Sequence, residues 1–481
     1  AINNNWRVGL LFLKGISVSY YMTRILLSTF IILILGCSTA KKDSDTVLFA
    51  GEIVNPTSTQ VILMKGRQKI DSAQIDENNR FKFNLHYLEN GLYHFNLSPE
   101  YQYVYLEKGD SLMVRLNTSY FDESLVFSGS NEEINNFLLE LFLAAEEEDL
   151  AMYAENYELE PNDFLDKIKS LRDDKLNRLN ELKVETTMSD GGYELLKGSI
   201  DYTYNRYKEI YPFQHKRKTT EENLHDLPKD FYSYRKNLDF DNQNLTYLRP
   251  YYDFMKAHFG NLSYMSCMNE CIDGNSGAGK QLHFNKHKLH LIDSLVVDKE
   301  LRDNLFRNVA FDYLLKRKDA SENTEIFLKE FKNVSKNNMH IEEIENLYQG
   351  ILNLQPSKML PNLTVVSFDN ENKTLNEIAI GKKVMFYFWS GSNKKQYQEI
   401  FKRVAELKKK KPDYELIGIN IKTDHNDWKV ILKTLQVDTS LQFQSNNFKE
   451  LTEKLVLYPM NKAIITDNAV IVDGFSNIYY N

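Results

Sequence analysis

The residues of this chain that could do chemistry are few, and their spacing limits what they can do. Three cysteines occur in 481 residues: Cys37, Cys267 and Cys271. Cys37 closes an apolar run at 25–35. Cys267 and Cys271 stand four apart, which in an oxidising compartment allows a disulfide or a redox pair. It equally allows two packed thiols one helical turn apart, or a local bridge at a helix end. The spacing is not that of a CxxC dithiol, and a regular helix sets such Cα atoms near the upper limit for bridging. Residues 274–281, GNSGAGKQ, nearly spell a phosphate-cradling loop. Gln281 stands where a hydroxyl would hold Mg²⁺, and the preceding stretch 266–273 is too polar for the buried strand such a loop follows. It reads as a Gly-rich loop. His283, His287 and His290 share one helix face and could bind zinc. Lys286 and Lys288 crowd them, no carboxylate completes a His-Glu-x-x-His pattern, and the face reads as solvated. Asn393 with Lys394 and Lys395 at a helix start could attract an anion; a cap with solvated lysines is the plainer reading. Lys408, Lys409, Lys410 and Lys411 complement a helix C-terminus. No metal or other cofactor is expected from these residues.

The whole chain sets the bounds. Its length suggests about three domains, and 42% hydrophobic residues suffice for packed cores. A net charge of −8 argues against a nucleic-acid partner. No apolar run of membrane-spanning length follows residue 37.

Three regions must position these groups. Residues 46–130 show short apolar runs at 47–49, 60–64, 81–85, 93–97, 103–106 and 111–116, parted by turn signals such as Asp76-Glu77-Asn78-Asn79 and Lys108-Gly109-Asp110. That spacing predicts a small antiparallel β-sandwich. Residues 131–355 interleave charged and apolar residues at helical period. Helices are expected around Phe164–Leu182 and near 193–211, 228–236, 245–259, 281–295, 298–316, 322–333 and 340–353. Residues 356–481 alternate strands and helices, the pattern of a layered α/β domain. The expected architecture is therefore multidomain: an all-β sandwich, a helical region and a C-terminal α/β domain, after a leader and tether in 1–45.

The segment 382–396, KKVMFYFWSGSNKKQ, organises the last domain. Val384 to Phe388 form an unbroken apolar run suited to a central strand covered on both faces. Ser390, Gly391, Ser392 and Asn393 supply loop and cap chemistry, and Tyr397, Ile400, Phe401, Val404 and Leu407 follow at helical spacing. A strand ending in Phe-Trp, a short loop and a helix resemble the active-site segment of TlpA/ResA-like thioredoxin-fold proteins. In that family cysteines lie four and seven residues after the Trp. Counted from Trp389, those positions hold Asn393 and Gln396. Neither can attack or resolve a disulfide, since that needs thiolates. Pro459, just before the strand at 462–466, resembles the cis-proline of the family. The resemblance implies a partner groove around Trp389, Gly391, Ser392, Asn393, Tyr458 and Pro459.

Two further resemblances complete the picture. "IDSAQIDENNRFKF", "GLYHFNL", "LEKGDSLMVRL" and "LVFSGSNEEIN" resemble the N-terminal β domain of unknown function that precedes TlpA-like domains in lipoproteins of Bacteroidetes-type bacteria. Met22-Thr23-Arg24, the apolar run and Ile34-Leu35-Gly36-Cys37 resemble a bacterial lipoprotein signal, implying a start at Met22, a mature end at Cys37 and a diacylglycerol on its thiol. Together these imply a lipid-anchored protein of a Gram-negative cell envelope, facing the periplasm or on the outer membrane, whose thioredoxin-like domain binds a protein or peptide without redox chemistry. The alternative is a periplasmic thiol–disulfide oxidoreductase of the TlpA kind.

Overall fold

The computed structural model describes residues 45–98, 100–270, 277–318, 321–458 and 461–480. The chain divides into two compact units. The first takes in the chain up to Leu143 together with Glu181–Leu196; the second holds Ala144–Asn180 and everything from Lys197 on.

The first unit holds eight strands, several of which alternate inward apolar and outward polar residues. They are β1 (Thr46–Val54), β2 (Gln60–Lys65), β3 (Gln68–Gln74), β4 (Arg80–His86), β5 (Gly91–Leu97), β6 (Glu100–Leu106), β7 (Ser111–Asn117) and β8 (Val126–Gly129). β4 shows the alternation cleanly: Phe81, Phe83 and Leu85 are buried while the residues between them are exposed. Two four-stranded sheets result, ordered β4-β1-β7-β8 and β3-β2-β5-β6. Their inner faces share one core, in which Phe49 stacks on Phe83 at 6.0 Å and meets Phe95 at 5.5 Å. The turn into β4 is built by Asp76, whose carboxylate accepts from the N–H groups of Asn78 and Arg80. One pairing departs from an antiparallel sandwich: β1 runs parallel to β7.

The second unit opens on the end of helix Glu132–Ala154 and continues with helices Pro161–Glu185, Asp190–Thr219, Arg249–Glu270, Gly277–Leu295, Lys299–Arg317, Glu322–Val334 and Ile341–Asn353, the first three of these eight lying across the unit boundaries. Caps mark their ends: Asp298 accepts from Leu301 N at 2.7 Å, and Lys318 closes the same helix in the left-handed region. The expected helix at 228–236 is only a short 3₁₀ turn, Ser233–Asn237. Two side chains of that stretch explain why it stays irregular: Tyr234 and Arg235 turn inward to the buried carboxylate of Glu209.

The rest of this unit is a seven-stranded sheet built from β9 (Thr364–Ser367), β10 (Asn372–Thr374), β11 (Lys383–Trp389), β12 (Glu415–Asn420), β13 (Gln442–Gln444), β14 (Lys462–Asp467) and β15 (Val470–Asn477). The order is β10-β9-β13-β12-β11-β14-β15. β11 is central, parallel to β12 and antiparallel to β14, and all of it after Lys383 is buried. That burial accounts for the unbroken apolar run. Met385, Tyr387 and Trp389 share a core with Ile400 and Leu407 of helix Lys394–Lys410 and with Trp428 and Leu432 of helix His425–Leu435.

Candidate functional site

The register of the central strands brings four connections to one end of the sheet. Trp389 pairs with Asn420 and Asn420 with Gln444, so β11, β12 and β13 all end there. β14 runs the other way and starts there: Tyr387 faces Ala463, and continuing that register sets Asn461 opposite Trp389. The segments after β11, β12 and β13 and the segment before β14 therefore leave the same edge. In open α/β sheets, the crevice outside the carboxyl ends of strands is where ligands bind.

Asn393 is the N-cap of helix Lys394–Lys410, and its Oδ1 accepts from Gln396 N at 2.9 Å. Ser392, Asn393 and Gln396 are exposed and Gly391 is half-buried. Gly391 is required by close approach. A Cβ there would lie 2.6 Å from Thr423 Cγ2 and 2.8 Å from Ile431 Cδ1. Its N–H donates to Thr423 Oγ1 at 2.7 Å, tying the loop after β11 to the loop after β12. The hydroxyls of Ser390 and Ser392 lie 3.0 Å from each other, and none of the described residues sets a base against either.

Trp389 differs from its expected place. It is fully buried, edge-on to Tyr397 and Phe401, so it supports the loop from beneath and does not line a groove. The apolar packing of a helix-facing strand residue outweighs the cost of its buried indole N–H, which has no partner. Tyr458 is also engaged elsewhere: its ring meets Phe311 of helix Lys299–Arg317 edge-on at 5.6 Å, and the Arg307 guanidinium stacks over the same Phe311. Among the described residues, no hydrogen bond or ring contact joins Tyr458 to the 390–393 loop.

Three residues at this edge were not anticipated. Gln444 donates to Thr423 O at 2.9 Å and accepts beside His425 Nδ1 at 2.7 Å, and His425 Nε2 lies 2.9 Å from Asn370 Oδ1. Asn420 is fully buried below them. The only sequence signal was a run of polar residues at strand ends, which is weak. Behind this edge, Lys462 is buried and donates to Leu455 O and Val456 O, closing helix Phe448–Leu455. Burial holds its ammonium well below the usual lysine range.

The other sequence candidates are dispersed. Cys267 Sγ lies 3.4 Å from His287 Nδ1, and His290 Nε2 pairs with Glu330 at 2.8 Å, so the histidine face is drawn to different partners. Of the Gly-rich stretch, Gly277–Lys280 is the first turn of a helix, and a helix precedes it, which is not the strand context of a phosphate loop. Cys37 with the rest of 1–44, Cys271 and Pro459 lie outside the described residues.

No family model matches the chain, and no curated protein does. Among solved structures it is similar to a thioredoxin-like protein from Bacteroides caccae ATCC 43185, at 13% identity over 51% of this chain and 86% of that one, with a TM-score of 0.31. It is also similar to the thioredoxin domain of a thiol-disulfide oxidoreductase from Bacteroides vulgatus (20%, 25% and 87%, 0.21) and to a thiol:disulfide interchange protein from Bacteroides sp. (20%, 25% and 81%, 0.21). No helix among the described residues is long and apolar enough to cross a membrane.

Proposed function

We propose that this chain is a lipid-anchored protein of the bacterial envelope whose C-terminal domain is thioredoxin-like, redox-inactive and used to bind a protein or peptide partner. The observation that carries the reading is Asn393. The position that would need a nucleophilic thiol holds an amide committed to capping the following helix, and residues 356–481 contain no cysteine. Dithiol exchange needs an attacking thiolate and a resolving thiol, and this domain has neither. What remains at the edge is the exposed start of a helix, whose first N–H groups have no intrahelical carbonyl, beside strand ends where an extended chain would dock. The groove would comprise Gly391, Ser392 and Asn393 with the Pro459 loop, over the support of Trp389. Anchoring rests on Cys37 as the lipid acceptor.

The test is insulin reduction by the full chain with dithiothreitol as reductant. No acceleration over dithiothreitol alone is expected. Turnover comparable to an ordinary thioredoxin, and lost in a Cys267→Ser, Cys271→Ser variant, would overturn the reading by placing the chemistry in the helical region. Binding is tested by fixing extended peptides in an array and probing with the chain and with a Gly391→Val variant. The native chain should select some peptides, and the variant should lose them.

A further inference from the structure

The helical region holds a second group of chemistry-bearing residues, remote in sequence from those above. His215 lies one turn before the end of helix Asp190–Thr219. Thr220 then adopts a left-handed backbone, with φ of 59°, and reverses the chain. For a β-branched residue that conformation is strained. The reversal sets Glu221 back over His215, and His225 follows. Oxygen and nitrogen atoms of His215, Glu221 and His225 all lie within 4.8 Å of one another.

His215 is fully buried, and its two ring nitrogens have different fates. Nδ1 lies 2.9 Å from the carbonyl oxygen of Tyr157. A carbonyl only accepts, so Nδ1 carries a proton, and the neutral form of the ring has its lone pair at Nε2. That Nε2 is buried and has no hydrogen-bond partner. It faces Glu221 Oε1 across 3.7 Å, beyond hydrogen-bond reach. In that form two electron-rich atoms face each other across a gap that a cation would bridge. His225 Nδ1 lies 3.3 Å from the same Glu221 oxygen, and its Nε2 lies 3.5 Å from Glu160 Oε2.

The geometry points to a divalent transition-metal site, zinc above all, bound by His215 Nε2, Glu221 and His225 Nδ1. Ligand atoms about 2.0–2.1 Å from a tetrahedral zinc are about 3.3–3.4 Å apart, near the 3.7 and 3.3 Å that part Glu221 Oε1 from His215 Nε2 and His225 Nδ1. Each histidine also has its other nitrogen beside an oxygen, Tyr157 O at 2.9 Å for His215 and, more loosely, Glu160 Oε2 at 3.5 Å for His225. That is the arrangement that fixes the tautomer and orientation of a metal-bound imidazole. Glu160 is a positioning residue, and the fourth coordination position is open to water on the half-exposed side of Glu221 and His225. The ring of Tyr211, stacked on His215 at 5.0 Å, holds the buried ligand rigid.

The test uses the full chain, stripped with a chelator and titrated with zinc alone by calorimetry. One zinc per chain is expected, with a raised melting temperature. X-ray absorption should show nitrogen and oxygen donors only. Glu221→Gln should weaken binding by at least ~100-fold, and Glu160→Gln by about 10–100-fold. A Cys267→Ser, Cys271→Ser variant should bind as the native chain does. His215→Ala removes a buried ring and is open to misfolding, so the half-exposed His225→Gln, checked for a native circular-dichroism spectrum, carries the decision. No zinc binding, sulfur among the donors, or affinity left intact in both Glu221→Gln and His225→Gln would overturn the site.

Discussion

At the scale of single residues, Asn393 has two testable consequences. Asn393→Ala should lower stability by about 1 kcal/mol, since an N-cap side chain satisfies an otherwise orphaned N–H; the midpoint of urea unfolding measures it. The pair Asn393→Cys with Gln396→Cys should form a disulfide, because Gln396 N already lies against the 393 side chain. Mass spectrometry after alkylation reads the bridge directly, and two alkylated thiols in air-oxidised protein would count against the assignment of these positions. The cap was legible in the sequence because Asn before a helical apolar pattern is a local signal. The burial of Trp389 was not, because a strand-end aromatic can point to the mouth or to the core, and the choice lies in the helix packed above it. Nor was the His215 cluster visible. Its ligands come from a helix end, a reversed turn and a loop, whereas a scan for histidines at helical spacing finds only His283, His287 and His290.

At the scale of elements, the buried polar network of Glu209 decides how the helical region holds together. Glu209 is fully buried and takes His258 Nδ1 at 2.6 Å, Tyr234 OH at 2.7 Å and the Arg235 guanidinium. Burial alone would raise its carboxyl, but the hydrogen bonds and charges of His258 and Arg235 outweigh burial and hold it below the usual range. Glu209→Gln should therefore cost about 3–5 kcal/mol, the penalty for leaving a buried cation without its counter-charge. The sign with pH follows from the depressed carboxyl. Its contribution is complete above the unfolded value, about 4.3, and is lost as pH falls through the lower folded one. Acid unfolding of native chain and Glu209→Gln should converge at low pH; parallel curves down to pH 2 would refute this. Element types were read well where periodicity was strong. β4 alternates cleanly and helix Gly277–Leu295 was bounded within a few residues. β3 and β8 were missed because one is mostly polar and the other four residues long, and β13 because three residues carry no period. Helix Glu132–Ala154 was missed among its acidic residues.

At the scale of the whole molecule, the anchor is the decisive question. The proposed lipidation of Cys37 would supply two acyl chains, which give stable membrane attachment where one is marginal. Cys37→Ser should move the protein from the membrane to the soluble fraction or leave an uncleaved precursor; unchanged fractionation and processing would refute lipidation. The division into two units has a different consequence. The first unit is not a continuous piece of chain: after Leu143 the polypeptide leaves it and returns with Glu181–Leu196. Gly192 of the returning stretch has no room for a Cβ beside Ile134, and Tyr105 OH crowds Gly191 in the same way. A nascent chain supplies residues in order, at about 5–20 per second. The β-rich unit thus stays unfinished for some seconds after its last strand has been made, with the seat of that stretch exposed. Truncation at any point between Leu143 and Leu196 should release a product that proteases clear quickly, and a ribosome stalled there should draw chaperones.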